Sequence, residues 1–232
     1  MESAPYFSHL KMTVEKEPSR FHSALDLGCG PYLRDLRLLK GIGVSVLVGM
    51  DARQKLDPLV KGESICYVCA DIDGNYLPAV DGSFDLVLID NVIEHMYDPR
   101  KVLDECIRVL KKGGILAVTT PNQSRLINRI RLVLGKSIYF PLDYWVGVRQ
   151  EHIYKRGKMV FAGHIREYTM DELRSMLELV GFELVSVRLY PAAVPSQRLE
   201  MSRSRALLKV YNILEKIIPG AGYMISMIAK KA

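Results

Sequence analysis

The chain has 232 residues, 49% of them hydrophobic, and a formal net charge of +6. This length fits one domain with an elaboration better than two full domains, and the lack of a fixed repeat excludes a solenoid or propeller. The basic charge permits contact with nucleic acid, an anionic membrane or an acidic small substrate, and selects none of them. Met1–Arg20 lacks the apolar segment of a signal peptide, and no stretch reaches the ~18 apolar residues of a membrane span. We therefore expect a cytoplasmic protein.

Strand-like and helix-like segments alternate from Ser23 to about Leu134, which indicates a parallel sheet covered by helices. Leu33–Lys40 is the first predicted helix, and its leucines recur at helical spacing. The predicted strands of this region are Ala24–Leu27, Val44–Met50, Ile65–Ala70, Phe84–Ile89 and Ile115–Thr119.

Two later helices have clear start signals. Asp98 is the expected N-cap of the first, with Pro99 at its first position, and Gly113 is expected to end it. Thr169 and Glu172 form a capping box at the start of the second. The last two predicted strands are Phe182–Leu189 and Tyr223–Ala229.

Residues 122–163 interrupt this alternation. The segment begins as a basic amphipathic helix with Arg125, Arg129 and Arg131, and an aromatic cluster follows at Tyr139, Phe140, Tyr144 and Trp145. An insertion after the carboxyl end of a strand lies where α/β folds bind ligands. We therefore expect a single domain over 1–232. Its parts are a cofactor-binding core at about 21–121, a substrate-side insertion at about 122–163 and a C-terminal part at 164–232.

Cys66 and Cys69 form a C-x-x-C motif within a predicted strand. A zinc or redox site would need a second cysteine pair or a helix start, and residues three apart on a strand face opposite sides. We therefore expect reduced, buried cysteines.

The first predicted strand ends in the run Asp26-Leu27-Gly28-Cys29-Gly30, which carries an acidic residue and two glycines. Two glycines in a strand-to-helix turn let the backbone approach a ligand closely. Leu33 stands where a dinucleotide fingerprint needs its third glycine, which argues against a nicotinamide or flavin enzyme.

Acidic residues follow each of the next three strands. Asp51 stands roughly 20 residues after the glycine turn and can accept from two ribose hydroxyls, although it can also cap a helix near Ala52–Leu59. Asp71 can accept from the adenine amine while Ile72 packs on the ring, and Asp90 opens the run Asp90-Asn91-Val92-Ile93-Glu94-His95. Without a phosphate-binding lysine motif, these features indicate a nucleoside with a cationic or zwitterionic tail.

Six stretches carry a family resemblance: ALDLGCG, VGMD, CADI, FDLVLIDNVIEHMYDP, RVLKKGGILAVTTPN and GHIREYTMDELRSMLELVGFE. In this order and spacing, over about Ala24–Val187, the sequence resembles the class I S-adenosylmethionine-dependent methyltransferases with a Glu-His fourth motif. The resemblance implies an α/β, Rossmann-like sheet of seven strands, mostly parallel with the last antiparallel, and helices on both faces. It also implies methyltransferase activity with S-adenosyl-L-methionine as cofactor.

The resemblance also assigns roles to individual residues. It places the methionine part of the cofactor at Asp26, Gly28 and Gly30, the ribose at Asp51, the adenine at Asp71 and Ile72, and the methionine or sulfonium at Asp90 and Asn91. Tyr32 departs from the small residue of many members and is expected to narrow the pocket.

His95 is the candidate catalytic base, because its unperturbed pKa suits removal of a proton from an oxygen acceptor. A structural histidine that bonds Glu94 or backbone is the alternative, and His152 and His164 are further candidates. Some relatives hold a divalent ion with such residues, to which Glu94, His95 and His164 could correspond. Asn91 stands where a first glutamate would be, so we assign no metal site.

The acceptor is expected to be a glycan, a lipid-linked sugar or a small metabolite, methylated on oxygen. The basic and aromatic insertion favours an anionic or amphipathic molecule, and Ser202–Ile218 reads either as a helix packed on the sheet or as an interfacial helix with peripheral membrane contact. An RNA methyltransferase, a non-enzymatic cofactor-binding protein and a dehydrogenase remain alternatives. Nucleic acid is not expected as a partner, since no RNA-binding module is visible in the sequence.

The sequence does not indicate the oligomeric state.

Overall fold

The computed structural model describes residues 5–17, 20–52, 56–58, 62–73, 76–138, 164–191 and 205–232. Within them the helices are α1 Pro5–Lys16, α2 Arg34–Gly41, α3 Pro99–Val109, α4 Leu126–Val133, α5 Met170–Leu179 and α6 Arg205–Ile217. The strands are β1 Ser23–Leu27, β2 Val46–Asp51, β3 Cys66–Cys69, β4 Phe84–Asp90, β5 Leu110–Pro121, β6 Phe182–Tyr190 and β7 Met224–Lys231.

The seven strands form one sheet in the order β3-β2-β1-β4-β5-β7-β6. The pairs from β3 to β5 are parallel, and β7 is antiparallel to both β5 and β6. The predicted fold and the antiparallel last strand are therefore confirmed. Leu27 is in register with Met50 and Ile89, and Asp90 with Thr119, so the carboxyl ends of β1, β2, β4 and β5 meet at one edge.

Hydrophobic cores lie on both faces of the sheet. On β4, Val87 and Ile89 point to the face covered by α3 and α5, whereas Leu86 and Leu88 point to the face covered by α1 and α2. Successive strand residues face opposite sides, so a strand buried on both faces is apolar throughout. A smaller cluster joins α4 to α6 and to Ala221.

The predicted N-caps Asp98 and Thr169 are confirmed, and the helix end predicted at Gly113 is wrong. The Asp98 side chain accepts from the backbone N–H of Lys101 at 3.2 Å, and the capping box at the start of α5 is complete. Helix α3 ends at Val109, four residues before Gly113, because Leu110 already pairs with Phe84 as the first residue of β5.

Helix α1 was not predicted. Phe7, Leu10 and Val14 on one side of it are buried against the sheet. The imidazole of His9 makes hydrogen bonds of 2.9 Å with the Ser226 hydroxyl and 2.7 Å with the Ser186 hydroxyl, which fixes the helix to β6 and β7. The spacing of the three apolar residues was the available signal.

The expectation of buried cysteines is wrong at Cys66 and Cys69, which are both exposed. They lie on β3, which is an edge strand of the sheet and, among the described strands, pairs with β2 alone. Cys106 on α3 is buried, as expected.

Several expectations fall outside the described residues. These are the aromatic cluster at Tyr139, Phe140, Tyr144 and Trp145, the candidate His152, and half of the helix expected near Ala52–Leu59. Among the helices that the structure describes, none is long and apolar enough to cross a membrane.

Candidate active site

The turn after β1 is anchored on the end of β2. The backbone N–H groups of Gly28 and Cys29 donate to the Met50 carbonyl at 2.7 and 3.2 Å, and that of Gly30 donates to Oδ2 of Asp51 at 2.9 Å. Both glycines have positive φ, +76° and +64°. A Cβ atom on Gly30 would meet no atom within 4 Å, so this glycine faces open space at the strand-end edge.

A cluster of carboxyl groups lies directly beneath this turn. Asp26 is 2% exposed, and burial raises its pKa well above the usual range, helped by the nearby charges of Asp35, Asp90 and Asp51. Burial and the charge of Asp90 raise the pKa of Asp35 to about 6. Arg34 contacts Asp35 at 3.0 Å and Asp90 at 2.7 Å, so one guanidinium contacts two carboxyl groups. The surplus of acidic groups makes this edge a suitable place for a cationic ligand.

Asp90 is held in a fixed orientation at the end of β4. Its carboxylate accepts from the Thr119 hydroxyl and from the Asn91 amide at 2.8 Å, while burial raises its pKa. Asn91 adopts the left-handed conformation with φ +53°, which asparagine tolerates better than most residues. The chain can therefore turn sharply away from β4 toward Val92.

Asp71 and Ile72 follow β3, as predicted. Asp71 is exposed and its Oδ1 accepts from the backbone N–H of Asp73 at 3.0 Å, whereas Ile72 is buried. The structure thus brings Asp26, Gly28, Gly30, Asp51, Asp90 and Asn91 to one sheet edge, with Asp71 and Ile72 after the neighbouring strand. Their contacts with a ligand stay predictions.

A second polar cluster follows Asp90 along the chain. One ligand atom from each of Glu94, His95 and His164 lies within 4.8 Å of the others. The two imidazole rings have centroids 5.0 Å apart at an angle of 68°. Glu94 is buried, and this raises its pKa to about 7, although Thr120 donates to its Oε2 at 3.0 Å. A carboxyl and two imidazoles in this arrangement can accept a proton or bind a cation.

A buried ion pair supports this second cluster. Glu167 bonds Nδ1 of His164 at 3.1 Å with one oxygen and Arg125 with the other. Although burial opposes it, the bonds from His164 and Arg125 hold the pKa of Glu167 below its usual range. Residues that sequence reasoning missed here are Glu167 and, in the first cluster, Arg34 and Asp35. Their position directly beside the motifs was the only signal.

The three arginines of the basic segment make contacts within the protein. Arg125 is buried on Glu167, Arg129 donates to the backbone carbonyls of Ser124 and Pro219, and Arg131 donates to that of Ser137. All three guanidinium groups thus serve intramolecular contacts. The expectation that this segment favours an anionic or amphipathic acceptor stays a prediction.

The fold and the acid-lined glycine turn define an α/β protein with a candidate ligand site at the strand-end edge. Residues 25–118 match a family profile described as a methyltransferase domain. The chain is 34% identical over 108 residues to a probable S-adenosylmethionine-dependent methyltransferase from Mycolicibacterium smegmatis, covering 47% of this chain and 32% of that protein. It is 29% identical over 132 residues to the mitochondrial ubiquinone biosynthesis O-methyltransferase of Dictyostelium discoideum, covering 51% of this chain and 40% of that protein.

A solved S-adenosylmethionine-dependent methyltransferase from Thermotoga maritima has the same fold, with a TM-score of 0.61 and 20% identity over 98% of this chain and 89% of that one. Residues 25–118 are thus similar to a methyltransferase domain, and the chain has the fold of a solved S-adenosylmethionine-dependent methyltransferase. The chain aligns with well under two thirds of the length of those curated relatives.

Proposed function

We propose that this protein transfers the methyl group of S-adenosylmethionine to a hydroxyl oxygen of a small-molecule acceptor. The observation that carries the proposal is the succession of two polar clusters after β4. Asp90 belongs to the acid-lined cofactor edge, and Glu94 and His95 follow within five residues in the cluster with His164. A cofactor edge directly beside proton-accepting groups suits methyl transfer to oxygen.

The cofactor is expected to lie along the glycine turn. Its ribose hydroxyls would bond Asp51, its adenine would lie at Asp71 and Ile72, and its methionine would reach Asp26 and Asp90. The carboxyl cluster favours the positive sulfonium and ammonium groups through its negative potential. Because the sulfonium is already a good leaving group, the protein mainly supplies alignment and desolvation.

The acceptor hydroxyl must lose its proton close to the moment of transfer. His95 is the proposed proton acceptor, and the ionised carboxylate of the buried Glu94 would stabilise the charge that it gains. The oxygen then bonds the methyl carbon while the carbon–sulfur bond breaks, and S-adenosylhomocysteine is released.

The acceptor class remains a glycan, a lipid-linked sugar or another small metabolite. The similarity to an enzyme named for ubiquinone biosynthesis favours a small molecule with an apolar part. An acceptor with an apolar part is also supported by the apolar side chains exposed on α4 and α6, which are Leu132, Val133, Val210, Ile213 and Ile217. They also favour peripheral contact with a membrane that holds such an acceptor.

A transfer assay with S-adenosylmethionine labelled in its methyl group tests the proposal. Phenolic quinone precursors, glycans, lipid-linked sugars and RNA are offered separately, and the product is hydrolysed to distinguish O-methyl from N-methyl groups. Label on the oxygen of a small molecule is the expected result. Label in RNA alone, or on nitrogen alone, would overturn the proposal.

A further inference from the structure

We propose that Glu94, His95 and His164 bind a divalent transition-metal ion. The ligand atoms lie within 4.8 Å of one another. In a zinc site with bonds of about 2.0–2.1 Å, ligand atoms stand roughly 3.0–3.4 Å apart. Rotation of the side chains that moves each ligand atom by about an ångström would therefore close the cluster around an ion, with the backbone left in place.

The buried oxygen of Glu94 is an independent observation that points to a ligand. Its Oε2 accepts from Thr120, whereas its Oε1 has no hydrogen-bond partner among the residues that the structure describes. A buried carboxylate oxygen without a partner costs free energy, and such atoms in folded proteins call for an unseen ion or water. A cation between the two imidazoles would satisfy this oxygen.

The surroundings of His164 match those of a metal-binding histidine. Glu167 engages Nδ1, and Arg125 holds Glu167 in place from its other oxygen. A histidine ligand commonly has its second nitrogen bonded to a carboxylate, which fixes the ring and raises its basicity. His164 would thus bind the ion through Nε2.

The backbone joins the two parts of the proposed site. The N–H groups of Ile165 and Arg166 donate to the carbonyl oxygen of Glu94 at 2.8 and 3.2 Å. These bonds place His164 next to the Glu94–His95 turn independently of the side chains. The site is therefore built by residues about 70 positions apart in the sequence.

The donor set selects the chemistry of the ion. Two imidazoles and one carboxylate suit Zn²⁺, Mn²⁺, Fe²⁺ or Co²⁺, whereas Mg²⁺ and Ca²⁺ prefer oxygen ligands. Three protein ligands leave at least one position open, as in catalytic rather than structural zinc sites. A hydroxyl group could take that position.

The consequence for the reaction rests on the proposed function, whereas metal binding itself does not. An ion at this site would bind the acceptor oxygen and lower the pKa of its hydroxyl group. The proton would leave to solvent, the oxygen would attack the methyl carbon, and the carbon–sulfur bond would break. His95 would then act as a ligand in place of its role as proton acceptor.

Titration of the metal-free protein with Co²⁺, and separately with Zn²⁺, tests the site. The exposed Cys66 and Cys69 are replaced by serine in every sample, because thiolates would compete for both ions. Calorimetry is expected to show one ion per chain, and Co²⁺ is expected to give visible absorption with nitrogen and oxygen ligands. Glu94→Gln and His164→Gln should each weaken binding by at least about 10-fold.

The exposed His22 provides the matched control, since His22→Gln removes an imidazole far along the chain from the cluster and should leave the titration unchanged. Circular dichroism confirms that each variant is folded. Glu94→Gln and His164→Gln proteins that bind the ions as tightly as the parent, or a parent that binds no stoichiometric ion, would overturn the site. Ion binding without methyl transfer would instead count against the proposed function.

Discussion

Gly28 and Val92 join the turn after β1 to the turn after β4. A Cβ atom on Gly28 would lie 2.4 Å from a methyl carbon of Val92, far inside van der Waals contact. Gly28 also has φ +76°, a conformation that residues with a side chain rarely adopt. This close approach holds the glycine turn against the start of the Glu94–His95 segment.

We therefore expect Gly28→Ala to destabilise the protein more than Gly30→Ala. Gly30 has a similar φ of +64° but open space around it. Alanine there should lower the free energy of unfolding by only about 1 kcal/mol, the cost of placing a side chain in the left-handed conformation. The collision with Val92 should add about 1–3 kcal/mol at Gly28. Urea unfolding measures both, and Val92→Ala in the Gly28→Ala background should recover the difference. Equal losses for the two glycines would refute the packing argument.

The ion pair between Arg125 and Glu167 is almost fully buried, and Arg125→Leu leaves a carboxylate in the interior. Removing one partner of a buried pair typically costs about 3–5 kcal/mol, whereas replacing both is often tolerated. Thermal or urea unfolding should show a large loss for Arg125→Leu and a smaller one for Arg125→Leu with Glu167→Leu. A single variant as stable as the parent would contradict a stabilising role of Arg125 beside Glu167.

His9 makes stability dependent on pH. Burial, assisted by the charge of Arg188, lowers the pKa of His9 to about 4, below its unfolded value of 6.5. Between those values the unfolded chain binds the proton more readily than the folded protein. The stabilising contribution of neutral His9 is therefore fully present above pH 6.5 and is lost as the pH falls toward 4. The loss should reach about 3 kcal/mol.

The variant His9→Gln isolates this effect, because glutamine can bond Ser226 or Ser186 but does not titrate. The free energy of unfolding is measured from pH 7.5 to 4.5 for both proteins. The difference between parent and variant should shrink as the pH falls through this window. A difference that stays constant would exclude His9 as the source.

His95 can be tested by separating turnover from cofactor binding. If its imidazole accepts the proton or binds the ion, His95→Gln should lower kcat about 10²–10⁴-fold and change the Kd for S-adenosylmethionine little. The control is His22→Gln, which should retain full turnover. Normal turnover of His95→Gln at all pH values would return His95 to a structural role.

Much of the cofactor edge could be predicted from the sequence, because local signals determine it. Apolar runs that end directly before Gly28, Asp51 and Asp90 mark the carboxyl ends of strands, and the alternation of strands with helices indicates that these strands are parallel. The two glycines after β1 likewise predict the turn by their residue type. These features depend on neighbours in sequence, so a single chain reveals them.

The supporting contacts could not be predicted, because they join distant segments. Glu167 contacts Arg125 from 42 residues away, and His9 contacts Ser226 from 217 residues away. In neither pair does the sequence around one residue indicate which residue it contacts. The exposure of Cys66 was misjudged for a related reason, since only the strand order reveals that β3 is an edge.

Calorimetric titration with S-adenosylmethionine and, separately, with NADH tests the central claim most directly. The account predicts one S-adenosylmethionine per chain, no NADH binding, and a loss of about 10-fold or more in affinity for Asp51→Ala. Asp51→Asn can still accept from the Gly30 N–H and separates support of the turn from contact with the ribose. Binding of NADH alone, or of neither ligand, would contradict the assignment of this sheet edge as an S-adenosylmethionine site.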